Sequence, residues 1–295
     1  MPASKGRTRM PRQIKTLTVL GTGVLGSQIA YQAAFHGFAV TAYDVDGDAL
    51  EKARARFARL VGIYRAANVG GAGESKAEAA LDNLRLTADL GDAVADADLV
   101  IEAVPELLEV KRDVYRTLAD LAPAKTIFAT NSSTLLPSDL KDSTGRPDRF
   151  LAIHYANNIW AQNIAEVMGT AETDPAVFDA VVEFARNSGL EPIEIRKEKA
   201  GYVLNSLLVP LLNAAAGLLL QGVASPETID KTWRIATGAP SGPFQIYDVV
   251  GLGTAYNIAA SSPDAGSQAF ARYLKDNYID QGKLGVATGE GFYTY

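Results

Sequence analysis

Residues 19–26 read Val-Leu-Gly-Thr-Gly-Val-Leu-Gly and place a Gly-x-Gly-x-x-Gly turn between two apolar segments. The segment before it, residues 14–20, is typical of a buried strand, and the segment after it has small and apolar residues at helical spacing. In such a strand–turn–helix unit the first glycine permits the sharp bend, the second lets the backbone approach a pyrophosphate, and the third allows close packing. The pyrophosphate would lie at the positive end of the helix. The sequence therefore predicts a dinucleotide site formed by Gly21, Gly23, Val24, Leu25 and Gly26.

An acidic residue at the end of the next apolar run indicates which dinucleotide is bound. Asp44 ends residues 38–44, the second predicted strand. A carboxylate at this position can accept hydrogen bonds from both hydroxyls of an adenosine ribose, whereas it would repel a 2′-phosphate. Asp46 adds a second negative charge, and no basic residue follows immediately. The sequence therefore predicts NAD rather than NADP.

The composition describes a globular chain with enough material for two domains. Its 295 residues are 47% hydrophobic and 21% charged, and the formal net charge is −6. This charge gives no long-range attraction for nucleic acid or anionic membranes. There is no cysteine, which excludes disulfides and thiolate metal sites and is typical of a reducing compartment. We expect a cytoplasmic protein without nucleic-acid or membrane partners.

Two segments test that expectation. Residues 202–223 are the most apolar stretch, but polar side chains and a proline interrupt them, so a core or dimer-interface helix is favoured over a membrane span. The start of the chain is basic and lacks the apolar stretch of a secretory signal. We interpret residues 1–13 as a flexible tail, with a mitochondrial presequence as the alternative. The basic residues are Lys5, Arg7, Arg9, Arg12 and Lys15.

Short apolar runs alternate with helical segments over residues 14–197. This alternation predicts a doubly wound α/β domain of the Rossmann type with a mainly parallel sheet. A helix over residues 48–67 and a second one extending through Leu84 are expected between the second and third strands. Residues 198–295 read as an all-helical domain. The predicted strands are residues 14–20, 38–44, 98–104, 126–130, 150–155, 164–168 and 192–195.

Hydride transfer to or from a carbinol requires a base for the hydroxyl proton, and the chain has 2 histidines. His36 follows the first helix, where a structural role at the helix C-terminus is expected. His154 ends a predicted strand at the sheet edge where doubly wound folds bind ligands. Glu166 lies within the next apolar run, where a carboxylate is costly unless paired. We predict that it orients His154; an outward-facing Glu on an edge strand is the alternative.

Further polar residues are candidates for holding the reacting oxygen. Residues 131–134, Asn-Ser-Ser-Thr, follow a predicted strand and form either a simple turn or a set of donors to a substrate. Asn205 is a polar residue on an apolar helix and needs a partner if it is buried. No spacing typical of metal ligands is present, so no metal is expected.

Taken together, these motifs resemble the 3-hydroxyacyl-CoA dehydrogenase family over residues 15–295. Besides the features above, the resemblance includes Glu-Ala-Val-Pro-Glu at residues 102–106, Gly-Tyr-Val-Leu-Asn at 201–205, Gly-Pro-Phe at 242–244 and Gly-Glu-Gly-Phe-Tyr at 289–293. It implies His154 as general base, Glu166 as its orienting partner, and Ser133 and Asn205 as donors to the reacting oxygen. It further implies a homodimer built by the helical domain. The implied cofactor contacts are Glu106, Lys111 and Asn131.

One loop departs from the family pattern, in which Phe-Phe-Asn-Pro accompanies the histidine. Here residues 155–160 read Tyr-Ala-Asn-Asn-Ile-Trp, so Asn157 is kept, Asn158 replaces proline, and Trp160 adds a bulky ring. We expect Asn157 and Trp160 to line an altered substrate pocket. The predicted function is NADH-dependent interconversion of 3-keto and 3-hydroxy groups on a small molecule. The alternatives are an (S)-3-hydroxyacyl-CoA dehydrogenase of fatty-acid oxidation and a non-catalytic NAD-binding sensor or crystallin-like protein.

Overall fold

The computed structural model describes residues 13–71 and 73–295, and the chain divides into two units, Met1–Val203 and Leu204–Tyr295. Most of the basic cluster assigned to a flexible tail, including Lys5, Arg7, Arg9 and Arg12, lies outside the described residues. Within the described ranges, no helix is long and apolar enough to cross a membrane.

The first unit is built on an eight-stranded sheet. Its strands are β1 (Thr16–Leu20), β2 (Ala39–Tyr43), β3 (Leu84–Thr87), β4 (Leu99–Glu102), β5 (Ile127–Thr130), β6 (Phe150–Tyr155), β7 (Ile164–Gly169) and β8 (Glu191–Ile195). Their order is β3-β2-β1-β4-β5-β6-β7-β8, and each neighbouring pair is parallel except β6 with β7. The predicted doubly wound, mainly parallel architecture is confirmed.

Helices cover both faces of this sheet, as a parallel sheet requires. They are α1 (Val24–Phe35), α2 (Gly47–Ala66), α3 (Glu74–Ala79), α4 (Leu90–Val94), α5 (Leu108–Leu121), α6 (Pro137–Leu140) and α7 (Pro175–Asn187). One apolar core contains residues of α1, α2 and α7, and a second contains residues of α4 and α5. Asp46 caps α2 by accepting a hydrogen bond from the Ala49 amide at 2.8 Å.

The predicted helix through Leu84 is wrong at its end. Helix α3 stops at Ala79, residues 80–83 form a 3₁₀ turn, and β3 starts at Leu84. The alternating sequence Leu-Arg-Leu-Thr extends the sheet beside β2, with Val40 opposite Leu84. Both leucines pack against the first core. Pairing with an open strand edge therefore overrides the helical pattern that precedes it.

The second unit is helical, as predicted. It contains α8 (Leu204–Leu220), α9 (Pro226–Thr237), α10 (Pro243–Val250), α11 (Leu252–Ser261) and α12 (Ala265–Asn277). Ser225 caps α9 by accepting a hydrogen bond from the Thr228 amide. Phe244, Leu252 and Leu274 are fully buried in its separate apolar core.

Candidate active site

The glycine turn between β1 and α1 has the geometry of a pyrophosphate site. Gly21 has a φ of 91°, and a Cβ there would lie 2.6 Å from the Ala103 carbonyl oxygen. A Cβ on Gly26 would lie 1.9 Å from the Gly21 carbonyl oxygen, whereas one on Gly23 would meet no atom within 4 Å. The first and third glycines are thus needed for packing, and the second leaves open space beside the helix N-terminus. These residues fit the diphosphate of NAD.

Asp44 follows β2 and faces this turn. Its Oδ2 accepts hydrogen bonds from the Thr22 amide at 2.9 Å and the Thr22 hydroxyl at 2.5 Å. Burial raises the pKa of Asp44, but the Thr22 and Val45 hydrogen bonds and the charge of Arg56 lower it further, so the net pKa is below its usual range. The carboxylate is therefore ionised, as recognition of ribose hydroxyls requires.

Arg56 is a cofactor-side residue that the sequence analysis did not single out. It projects from α2, and its Nη1 donates a hydrogen bond to the Thr22 carbonyl oxygen at 3.2 Å. Because Arg56 lies twelve positions after Asp44 in the sequence, no short motif connects them. Only the packing of α2 against α1 brings the guanidinium to the glycine turn.

The candidate acid–base residues meet where β6 and β7 pair. The antiparallel register places His154 directly opposite Glu166. Both residues are buried, with 4% of His154 and 1% of Glu166 exposed. His154 Nδ1 lies 2.9 Å from Glu166 Oε2, and His154 Nε2 lies 3.1 Å from Ser133 Oγ. When Nδ1–H donates to the carboxylate, the neutral ring leaves Nε2 as an acceptor facing the serine hydroxyl. This geometry permits the predicted pairing of a general base with an orienting carboxylate, and the two roles stay a prediction.

Glu106 organises the turn that carries Ser133. Its Oε1 accepts hydrogen bonds from Ser132 Oγ at 2.5 Å and from Ser133 N, Thr134 N and Thr134 Oγ1, each at 2.9 Å. Burial raises the pKa of Glu106, but these donors and the Lys111 charge lower it to about 2. Because its Oε1 accepts four hydrogen bonds from residues 132–134, Glu106 fixes the backbone of this segment, which we call the serine turn.

Lys111 lies behind Glu106 and is 1% exposed. Its ammonium contacts Glu102 Oε1 at 2.5 Å, Glu106 Oε2 at 3.2 Å and the Val104 carbonyl oxygen at 3.3 Å. Glu102 is fully buried and also accepts a hydrogen bond from Thr130 Oγ1 at 2.9 Å. The structure thus gives Lys111 a role in holding two carboxylates, and its direct contact with the cofactor stays a prediction.

Asn131 and the departing loop support the same sheet edge. Asn131 Oδ1 accepts a hydrogen bond from the Tyr155 amide at 3.2 Å, which links the ends of β5 and β6. Asn157 is exposed, and Asn158, with a φ of 60°, donates its amide to Gln28 Oε1 at 2.8 Å. The Trp160 ring lies 5.9 Å from the Tyr64 ring, centre to centre, and packs against the first core. Contact of Asn157 and Trp160 with a substrate stays a prediction.

Two further residues named from the sequence are Asn205 and His36. Asn205 is in the first turn of α8 and belongs to the second unit, so its part in the site stays a prediction. His36 Nδ1 lies 2.9 Å from the Gln32 carbonyl oxygen at the end of α1, which agrees with a structural role. A further residue to which the sequence analysis gave no role is Tyr202, whose buried ring stacks on His154.

The fold and its glycine turn define a dinucleotide-binding protein of the Rossmann class. Residues 16–199 match the family model "3-hydroxyacyl-CoA dehydrogenase, NAD binding domain", and residues 201–295 match "3-hydroxyacyl-CoA dehydrogenase, C-terminal domain". The chain belongs to this family, and it is an oxidoreductase that acts on CH–OH donors with NAD as cofactor.

Two relatives named as CoA dehydrogenases and a solved diketoreductase each match over almost the whole chain. The mitochondrial hydroxyacyl-coenzyme A dehydrogenase of Sus scrofa is 34% identical over 288 residues, which covers 96% of this chain and 91% of the relative. The probable 3-hydroxybutyryl-CoA dehydrogenase of Bacillus subtilis is 32% identical and covers 96% and 98%. A solved structure of a diketoreductase that acts on dicarbonyl compounds is 65% identical, with a TM-score of 0.92, and covers 96% and 100%.

Proposed function

We propose that this chain is an NADH-dependent reductase of a compact 3-keto or 3,5-diketo substrate, with His154 and Glu166 as its acid–base pair. The observation that carries the proposal is the hydrogen-bonded series from Ser133 Oγ through His154 to Glu166 at the carboxyl edge of the sheet. The 65% identity to a diketoreductase supports the substrate class.

Each residue has a defined part in the proposed reaction. NADH, when bound, supplies the hydride that reduces the carbonyl carbon. His154 in its protonated form donates the Nε2 proton to the carbonyl oxygen and becomes the neutral ring, and Glu166 holds the ring so that this nitrogen faces the substrate. Ser133 donates a hydrogen bond to the same oxygen as its negative charge develops. The reverse direction oxidises a 3-hydroxy group by the same steps.

The cations of α2 support a small substrate over a CoA thioester. A CoA thioester requires Lys or Arg side chains at its phosphates. Arg54 contacts Glu51, Arg65 contacts Glu78, and Arg56 donates to Thr22. These three cations of α2 therefore already have partners, and Lys52 and Arg59 are exposed on the same helix.

The test is the relative kcat/KM with NADH for a 3,5-diketo ester, for acetoacetate and for acetoacetyl-CoA. We expect the ester or the free acid to be reduced at least as efficiently as the thioester. Lys52→Ala with Arg59→Ala serves as the matched control, because it should change none of the three values. A preference for acetoacetyl-CoA of roughly 100-fold that this double variant abolishes would establish the fatty-acid oxidation activity instead.

We also propose that the second unit forms a homodimer in the cytoplasm. Several large apolar side chains of this unit are strongly exposed, which is typical of a surface covered by another protein. The most exposed of those on α8 is Leu207 at 70%, and Ile258 on α11 is 63% exposed. The mass of the protein in solution, measured by light scattering, tests the dimer.

A further inference from the structure

Tyr202 combines three unusual properties in one residue. Its φ is 50°, in the left-handed region that bulky side chains rarely occupy. It is 1% exposed, and its ring is nearly parallel to the His154 imidazole, with 4.4 Å between ring centres and 11° between planes. Backbone strain of this kind persists only where surrounding contacts hold it, and such residues are concentrated at active sites.

The hydroxyl of Tyr202 adds a contact to the serine turn. It donates a hydrogen bond to the Ser132 carbonyl oxygen at 2.8 Å. The neighbouring Gly201 amide donates to the Ser133 carbonyl oxygen at 3.1 Å. Two successive residues therefore hold the two successive carbonyl groups on either side of the candidate hydrogen-bond donor.

The next residue contacts the remaining member of the series. The Val203 amide donates a hydrogen bond to Glu166 Oε1 at 2.9 Å, on the oxygen that does not face His154. The tripeptide Gly201–Tyr202–Val203 thus contacts the serine turn, the imidazole face and the carboxylate. The left-handed backbone at Tyr202 is what lets the ring and the two flanking amides reach these three groups together.

We propose that Tyr202 is a positioning residue for the reduction: its ring fixes the plane of the His154 imidazole, and its hydroxyl fixes the Ser132–Ser133 backbone. The ring covers one face of the imidazole, so water is excluded there and Nε2 is directed toward Ser133. This inference rests on the proposed roles of His154 and Ser133.

Two variants separate the ring from the hydroxyl. Tyr202→Phe keeps the stacking and removes one hydrogen bond, so we expect kcat to fall by roughly 2- to 10-fold. Tyr202→Leu also removes the stacking, and a misplaced base should lower kcat by roughly 100-fold. The NADH dissociation constant, followed by fluorescence quenching, should be unchanged in both. Tyr31→Phe is the matched control, because Tyr31 is also buried and donates its hydroxyl to a backbone oxygen, that of Ala77 at 2.6 Å.

Proton NMR provides a readout that does not depend on activity. The chain has 2 histidines, so His154→Gln assigns the imidazole signals by removing one set. Protons held over an aromatic face are shifted upfield, and we expect this shift at His154 in the wild type and in Tyr202→Phe but not in Tyr202→Leu. The His36 signals should stay in place throughout.

Each result either supports the positioning role or overturns it. Full kcat in Tyr202→Leu, or kcat losses in the Tyr202 variants no larger than in Tyr31→Phe, would overturn it while leaving the proposed function intact. Should Tyr202→Leu not fold, full kcat in Tyr202→Phe would overturn the role of the hydroxyl. Full activity of His154→Gln would instead overturn the proposed function, whatever the Tyr202 variants show.

Discussion

Glu166 in the first unit and Asp248 in the second are equally buried carboxylates, each 1% exposed, with different surroundings. Glu166 accepts from an imidazole whose other nitrogen faces a serine hydroxyl. Asp248 accepts from the amides of Phe292 and Tyr293, both at 2.9 Å, and from a tyrosine hydroxyl at 3.0 Å. Burial alone therefore does not distinguish a carboxylate of the candidate active site from a structural one. The hydrogen-bond donor to the carboxylate distinguishes the two cases, because an imidazole can take part in proton transfer and a backbone amide cannot.

The second unit repeats the structural arrangement with Asp230. Its carboxylate accepts from the Phe244 and Gln245 amides at 2.9 and 3.0 Å and from the Tyr293 hydroxyl at 3.0 Å. A Cβ on Gly291 would lie 2.1 Å from Asp248 Oδ1, and one on Gly242 would lie 2.3 Å from Asp230 Cγ. The C-terminal motifs that support the family resemblance thus form hydrogen bonds with two buried acids of the second unit.

The largest loss of kcat is expected for substitutions of His154 and of Glu166, the carboxylate hydrogen-bonded to its imidazole. His154→Gln and Glu166→Gln should each lower kcat by about 10²–10⁴-fold, because general acid–base catalysis and its orientation are both lost. The NADH dissociation constant should stay nearly unchanged. Steady-state kinetics and NADH fluorescence measure the two quantities.

His36→Gln is the matched control, since it replaces the other histidine at a site where His36 contacts the Gln32 carbonyl. It should retain the wild-type kcat. If Glu166→Gln were fully active, Glu166 would belong with Asp248 as a structural carboxylate, and the contrast between the two units would fail.

A smaller effect is expected at Glu106, which contacts the serine turn rather than the imidazole. In Glu106→Gln, the charge is lost and an amide nitrogen faces donors, so the turn shifts and kcat should fall by roughly 10- to 100-fold. Glu109→Gln is the control, because Glu109 is exposed and pairs with Arg112 on the surface of α5. Unchanged kcat in Glu106→Gln would limit this carboxylate to a packing role.

The pH dependence of the free energy of unfolding provides a second test of Glu106→Gln. The pKa of Glu106 is about 2 in the folded protein and roughly 4.3 in an unfolded chain. A carboxylate with a lower pKa in the folded protein stabilises the fold at pH values above its pKa in the unfolded chain. This contribution is lost as the pH falls toward 2. Urea unfolding should therefore show a larger penalty for Glu106→Gln at pH 6 than at pH 3. An equal penalty at both values would contradict the charge argument.

The sequence could predict features that depend on local pattern. The glycine turn, Asp44 and the strand that ends at His154 each lie within one continuous segment, and hydrophobic periodicity locates them. Strand β3 was missed because it directly follows a helical stretch and its sequence, Leu-Arg-Leu-Thr, lacks the continuous apolar run that located β4 and β5. The Arg56 contact, the burial of Lys111 and the stacking of Tyr202 could not be read from the sequence. They depend on the packing angles of helices and on a left-handed backbone that no spacing encodes.

The smallest effect on catalysis is expected at Asp248, where the comparison predicts none. In Asp248→Asn the side-chain nitrogen would face an N–H or O–H donor from residues 292–295, and a buried unsatisfied donor costs about 1–3 kcal/mol. The melting temperature should fall accordingly, while kcat at a temperature well below the transition stays at the wild-type value. Asp264→Asn is the control, since Asp264 caps α12 at the surface and asparagine caps nearly as well. A loss of kcat in Asp248→Asn without a change in melting temperature would place Asp248 in the catalytic machinery. The contrast between a carboxylate that acts in catalysis, Glu166, and one that only stabilises the fold, Asp248, would then be wrong.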